Sequence, residues 1–292
     1  MAAVAVCGML SAGAVRAASL TWDITAGGDG TITDGSGNWS DGGANWNTGA
    51  GDTTWNNATP DSAIIGGGTL GAAGTITLTS GIAVGGMTFN TPNGGGSYIV
   101  TNNTLTLSGT PTITANADAA IGSIIAGSGV GFTKAGNGAL AISFTNMYTG
   151  ATVVNAGTLI LGGYECLQTN SAITVNSSAT LFIQTARPFV SGQRGDRLNI
   201  NDGGVMFITN NPTPARMEVK RIEMTGGSIT GLFSAANAYG GLSATNITIH
   251  ANGTPSKLDT VRCYASTAAS GAGEMVFDVD NGAEADVSMV IT

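Results

Sequence analysis

From about Thr75 onward the chain is written in short runs where apolar and polar residues alternate. They are TITL (75–78), IAVGGMTF (82–89), TLTL (104–107), ALAI (139–142), TLIL (158–161), AITV (172–175), TLFI (180–183), RLNI (197–200), VMFI (205–208) and NITI (246–249). Alternation at period two sends every second side chain to one side of an extended backbone, so each run is predicted to be a strand with one buried face. Gly, Asn, Asp and Ser clusters between the runs supply turns. No segment sustains a period of 3.6, so helix content should be low. Leu140, Leu159, Leu181 and Leu198 each open a similar aliphatic pair, at spacings of about twenty residues, the length of one solenoid turn. An antiparallel sandwich also shows closely spaced strands. The recurring phrase, an aliphatic pair closing a turn and followed by Gly or Asn, favours parallel coils stacked about 4.8 Å apart. The expected architecture is all-β: a right-handed parallel β-helix with inward Leu and Ile ladders, and with Asn and Thr ladders at its turns.

Composition sharpens this picture. Glycine accounts for 46 of the 292 residues and charged residues for only 10%, against a usual charged share of about 25%. A thin aliphatic core suits a solenoid, in which each coil buries a few side chains against its neighbours. Residues 18–74 read differently: all four tryptophans, Trp22, Trp39, Trp46 and Trp55, stand there among Gly, Asp and Asn. This segment is expected to cap the first coil, and residues 75–292 to form the coils, continuing beyond Thr292. Residues 1–17, MAAVAVCGMLSAGAVRA, read as a signal peptide with Val15 and Ala17 at the cleavage-site positions, although no basic residue precedes the apolar run. Removing it leaves Cys166 and Cys263, and no membrane span is expected in what remains. Export permits a disulfide between the two, and two buried free thiols are the simpler expectation.

Net charge is −8. No basic residue stands between Arg16 and Lys134, which argues against nucleic acid as a partner. Arg187, Arg194, Arg197, Arg216, Lys220 and Arg221 cluster, but Asp196, Glu218 and Glu223 among them point to a solvated mixed face. His250, the single histidine, would have to serve any Ser-His-Asp or Cys-His arrangement, and it stands at a strand end, NITIHANG. Asp278 and Asp280 share a strand face, with Glu274, Glu284 and Asp286 nearby, and could offer oxygens to calcium. Asp34, Ser36 and Asn38 have calcium-loop offsets, but Trp39 replaces the glycine such a loop needs. No other cofactor is indicated. Trp39 and Trp46 are candidate glycan contacts if exposed and core if buried.

Residues 131–163, GFTKAGNGALAISFTNMYTGATVVNAGTLILGG, carry the most specific phrase. It resembles the autotransporter-associated β-strand repeat, also called the passenger-associated transport repeat. Phe132-Thr133-Lys134, Gly136, Gly138 and Leu140 fill the first part of that family's pattern. Asn146, Tyr148, Thr149 and Gly150 fill the second, and Asn155 to Leu159 the third. Gly136, Gly138, Gly150 and Gly157 fit tight corners; Leu140, Ile142, Leu159 and Leu161 should face inward, and Tyr148 should cover a corner. The resemblance implies an exported passenger, extracellular or at the cell surface and associated with an outer membrane. It would be structural and adhesive rather than catalytic, meeting extracellular glycans or a host or neighbouring cell. A carbohydrate-binding or polysaccharide-cleaving β-helix is the alternative.

Overall fold

The computed structural model describes residues 17–25, 30–168, 171–184, 188–189, 195–209, 216–231, 241–244, 246–250, 252–265, 276–279 and 285–290. Among them no helix occurs. The backbone winds as a solenoid, and strands from successive coils pair in parallel along its length.

A first face begins with the strand Ser19–Trp22. It runs on through Ser62–Ile65, Gly86–Phe89, Thr112–Ala115, Phe132–Ala135, Thr152–Val154, Ala172–Val175, Gly195–Ile200, Arg216–Met224, Asn246–Ile249 and Val276–Val279. A second face is laid down between these strands: Gly37–Trp39, Thr75–Leu78, Tyr98–Leu107, Ala119–Gly127, Ala139–Ile142, Gly157–Leu161, Ala179–Ile183, Val205–Ile208, Ser228–Gly231, Ser256–Ala265 and Ala285–Val290. A shorter third face joins Ile82–Val84, the last residues of Tyr98–Leu107 and of Ala119–Gly127, and Met147–Tyr148. Consecutive strands of the sequence therefore fall on different faces, and each pairs with its counterpart one coil away. That is the arrangement of a parallel β-helix.

Period-two alternation decides which side chains stack. On the second face Leu140 pairs with Leu159, Leu159 with Leu181, Leu181 with Met206, Met206 with Ile229 and Ile229 with Leu258. A parallel column runs Ile76, Val100, Ile121, Ile142, Leu161, Ile183 and Ile208. All of these side chains are buried. Burying each aliphatic residue contributes about 1.5–3 kcal/mol, and a column repeats that gain at every coil. Leu198 departs from the expected column: it lies on the first face, between Ile173 and Ile222. A spacing near twenty residues lands on either face when turns between faces vary in length. The residue stacked on Leu181 is Met206.

The corner after the first face carries a side-chain ladder. Asn176 donates to Asn155 and Asn201 to Asn176, each at 2.5 Å, so the amides repeat with the coils. Farther along, the mixed-charge surface forms half-exposed ion pairs, Arg197–Glu223 at 3.4 Å and Arg221–Asp196 at 3.6 Å.

The four tryptophans fill one end of the core, with ring centroids 4.7–5.3 Å apart in edge-on and tilted contacts. Trp39 and Trp46 are 0% exposed, which corrects their candidacy as glycan contacts: neither ring has a face to offer. Apolar bulk was needed here, because the surrounding segment supplies few aliphatic residues. Beside them, Ser19–Trp22 pairs in parallel with Ser62–Ile65 on one edge. On its other edge it pairs antiparallel with Trp46–Asn47, which forms an antiparallel pair with Asp52–Thr53.

If the stacked column carries the fold, Leu159→Ala should lose about 2–5 kcal/mol in chemical denaturation. Leu70→Ala, at a side chain 53% exposed, should stay within about 0.5 kcal/mol of the parent. Equal losses would contradict the column.

Candidate functional site: the coil around Lys134

The strand Phe132–Ala135 turns Phe132 and Lys134 to the same side, and that side is the interior. Lys134 therefore occupies an inward position in a column where the coil on one side supplies Ile113 and the coil on the other Val154. It is 0% exposed. Its Nζ donates to three backbone carbonyls: Gly136 O at 2.6 Å, Gly138 O at 2.6 Å and Ala156 O at 2.9 Å. Two belong to its own corner and the third to the next coil, so one ammonium staples two coils from within. Burial pushes Lys134 down to about 8, with the Asp118 carboxylate acting in the opposite direction. The carbonyl cage holds the charged form, each such bond contributing about 1.5–3 kcal/mol.

The glycines of the phrase make room for this cage. Gly157 has φ +60, and a Cβ there would stand 2.6 Å from the carbonyls of Gly136 and Gly138 and 2.7 Å from Nζ. Gly138 and Gly150 are needed for a different reason: a Cβ on either would meet the backbone of the adjacent coil, at 2.6 Å from Ala117 C and 2.1 Å from Gly131 N.

On the third side of the same coil, Asn146 is buried and ties three coils together. Its Oδ1 accepts from Ile125 N at 2.8 Å and its Nδ2 donates to Cys166 O at 3.0 Å. Gln168 donates to its backbone carbonyl. Tyr148 was expected to lie over a corner; instead it is 0% exposed, inside the core. Its ring meets Phe132 edge-on at 5.4 Å and its hydroxyl pairs with Thr152 Oγ1 at 2.8 Å. A hydroxyl partner inside the coil allows tyrosine an inward position that its sequence context did not reveal. Leu140 and Leu159 are fully buried and pair directly. Cys166 is buried with a free thiol, pushed up to about 12 by burial.

The other candidates stand apart from this coil. His250 is half-buried at the corner after Asn246–Ile249, its backbone N–H donating to Met224 O. Asp34, the first of the calcium-loop offsets, is buried, and its carboxylate accepts from Tyr98 Oη at 2.9 Å and from Gly68 N at 3.0 Å. Ser36 Oγ accepts from Thr75 N at 3.0 Å. The two Asp34 carboxylate oxygens and the Ser36 hydroxyl thus bond within the fold, to Tyr98, Gly68 and Thr75. Among the described residues no group of three or more His, Cys, Asp or Glu side chains could hold a metal. The signal peptide through Arg16, together with Arg187, Arg194, Glu274, Asp280 and Glu284, lies outside the described residues, as do the side chains of Arg216, Cys263, Asp278 and Asp286.

What the Lys134 coil offers chemically is cohesion: its cation is taken up by backbone carbonyls of its own corner and of the next coil, and the Asn146 amide by backbone groups of the coils on either side. Residues 132–161 match the family model of the passenger-associated transport repeat. The lysine, the glycines and the aliphatic pairs of that repeat are the residues that build the cage and the column. The chain is also similar to the adhesin BmaC autotransporter of Brucella suis biovar 1 (strain 1330), at 44% identity over 131 residues, which is 44% of this chain and 3% of that protein. The chain thus spans a small fraction of the relative's length. No solved structure matches. Among the described residues no helix is long and apolar enough to cross a membrane.

Lys134→Met should lower the unfolding temperature at pH 7, because three corner carbonyls lose their donor. Its pH response should differ as well. The folded value of about 8 lies below the ordinary 10.5, so between these values the unfolded chain binds more protons and Lys134 makes stability rise with pH. Cys166 and Tyr148, both raised by burial, act in the opposite sense above about pH 9. The difference in unfolding temperature between parent and variant should therefore widen as pH rises from 8, and a constant difference would count against a buried titrating lysine.

Proposed function

We propose that the chain is part of an exported, non-catalytic passenger: a β-helical shaft displayed outside the cell, with adhesive function. One observation carries this reading. The coil that matches the passenger repeat spends its buried cation and amide on holding coils together and its buried hydroxyl on a bond within the coil, and leaves none of them facing solvent for chemistry. The relationship to an autotransporter adhesin supports the adhesive part. In this reading residues 1–17 are a leader removed on export, residues 18–74 supply the first strands of the shaft together with the antiparallel cover that caps them, and residues 75–292 build the rest of it. The antiparallel cover on Ser19–Trp22 and the buried tryptophans support the cap, since an uncovered terminal strand invites edge-to-edge association. Partners are sought among extracellular glycans and the surfaces of host or neighbouring cells; the reading requires no cofactor and no nucleic acid.

The test uses cells that make the protein. Antibody labelling and protease treatment of intact cells should detect the chain at the surface, and deleting its gene should reduce attachment to a cell monolayer. Retention inside the cell would remove the passenger reading. Surface display with unchanged attachment would remove adhesion alone.

A further inference from the structure

An Asn-Gly pair is a place where a chain can react with itself. The backbone nitrogen of the glycine closes a five-membered ring on the asparagine side chain, and glycine has no Cβ to hinder the approach. The sequence has four such pairs: Asn93-Gly94, Asn137-Gly138, Asn252-Gly253 and Asn281-Gly282. The last lies outside the described residues. The other three asparagines are all exposed, so solvent access does not separate them. The packing of the coils does.

In two of the pairs the attacking nitrogen is already in use. Gly94 N donates to Gly71 O at 2.7 Å and Gly138 N to Ala115 O at 2.8 Å, each bond joining neighbouring coils. Both glycines are also hemmed in: a Cβ on Gly94 would stand 2.6 Å from Gly71 O, and one on Gly138 2.6 Å from Ala117 C. Gly253 differs on both counts. Its N–H has no hydrogen-bond partner among the described residues, and nothing lies within 4 Å of where its Cβ would be. The Asn252 side chain is held beside it. Oδ1 accepts from Thr254 N at 3.0 Å, closing a turn around the Asn252-Gly253 peptide, and Nδ2 donates to Thr225 O of the preceding coil at 3.1 Å. Asn93 has a comparable side-chain bond, from Nδ2 to Thr69 O at 2.7 Å. The state of the backbone nitrogen is therefore what sets the sites apart.

We propose that Asn252-Gly253 is a self-modification site, at which Asn252 is converted to aspartate and isoaspartate. Gly253 N gives up its proton to hydroxide and adds to Asn252 Cγ. The Cγ–Nδ2 bond breaks, Nδ2 takes a proton from water, and ammonia leaves behind a cyclic imide. As the ring closes, Thr254 N–H stands on the oxygen that takes up negative charge. Water then opens the imide. Attack at Cγ gives aspartate on the original backbone; attack at the main-chain carbonyl gives isoaspartate, with one methylene more in the main chain. Either product loses the donor to Thr225 O and gains a negative charge. A Cβ on Gly226 would lie 2.7 Å from Asn252 Nδ2 and 2.9 Å from Asp202 Oδ1, so the new carboxylate forms beside an existing one. The corner between Asn246–Ile249 and Ser256–Ala265 thereby loosens from the coil before it as the protein ages.

The test follows the purified chain in mildly alkaline buffer, folded or unfolded in guanidinium chloride, by peptide mapping with mass spectrometry. Fragmentation separates aspartate from isoaspartate. In the folded chain Asn252 should convert at least about tenfold faster than Asn93 or Asn137, the rate factor of about 1.4 kcal/mol and the size of one net backbone hydrogen bond. In denaturant the three rates should converge, because the bonds that hold Gly94 N and Gly138 N are gone. The unfolded sample is also the clock: Asn252 staying intact in the folded chain while it converts in denaturant would overturn the proposal. So would equal rates at the three sites in the folded chain, or a preference for Asn252 that persists undiminished in denaturant, since the fold would then not set it. Asn252→Gln, whose longer side chain cannot close the five-membered ring, should abolish modification of this peptide with circular dichroism unchanged. Continued modification of that peptide would place the reaction at another residue.

Discussion

Every feature of this molecule depends on one constraint: adjacent coils must present matching inward side chains at the same height along each face. The parallel ladder sets a repeat of about 4.8 Å, and within that repeat an aliphatic residue has to find another aliphatic residue above and below it. The columns from Ala119 through Leu140, Leu159 and Leu181, and from Ile76 through Ile142 and Leu161, meet that requirement with little apolar material per coil. A chain with 10% charged residues and 46 glycines can therefore fold without a bulky globular core. Coil length is free to vary, because extra residues are absorbed at corners and never enter a column.

The polar groups inside the repeat coil act on this same constraint. Slipping a strand by two residues keeps an aliphatic side chain inward and costs little where the column is all Leu, Ile and Val. It would, however, pull the Lys134 ammonium out of its three carbonyls and leave a charge buried without partners, a loss of several kcal/mol. Asn146 imposes a similar condition across Ile125 and Cys166. Stability is supplied by the aliphatic columns, and register by the few buried groups whose hydrogen bonds have one geometry.

Much of this was legible in the sequence. Strict alternation in ALAI, TLIL and TLFI assigns both the strands and their inward residues, and the pairing of Leu140, Leu159 and Leu181 follows from it. Leu198 was misplaced because spacing alone carries no label for the face on which a strand falls; only the corner lengths do, and those are set by close backbone approaches such as Gly163 against Ser143. The inward position of Lys134 was present in the parity of Phe132-Thr133-Lys134, yet residue type argued for solvent. The cage became visible only when the corner glycines were placed around it. Trp39 and Trp46 show the reverse case: their chemistry allowed a ligand platform, but with few aliphatic neighbours their rings were the available filling for the end of the core.

The antiparallel strand Trp46–Asn47 on the rim of Ser19–Trp22 gives the molecule a polarity. A parallel ladder left bare would accept any sibling coil of like direction, and fibres could lengthen from both ends. With a reversed strand already seated on Thr21 and Trp22, that part of the rim is closed to parallel docking, so lengthening of this face is disfavoured there relative to the direction in which the chain itself is read.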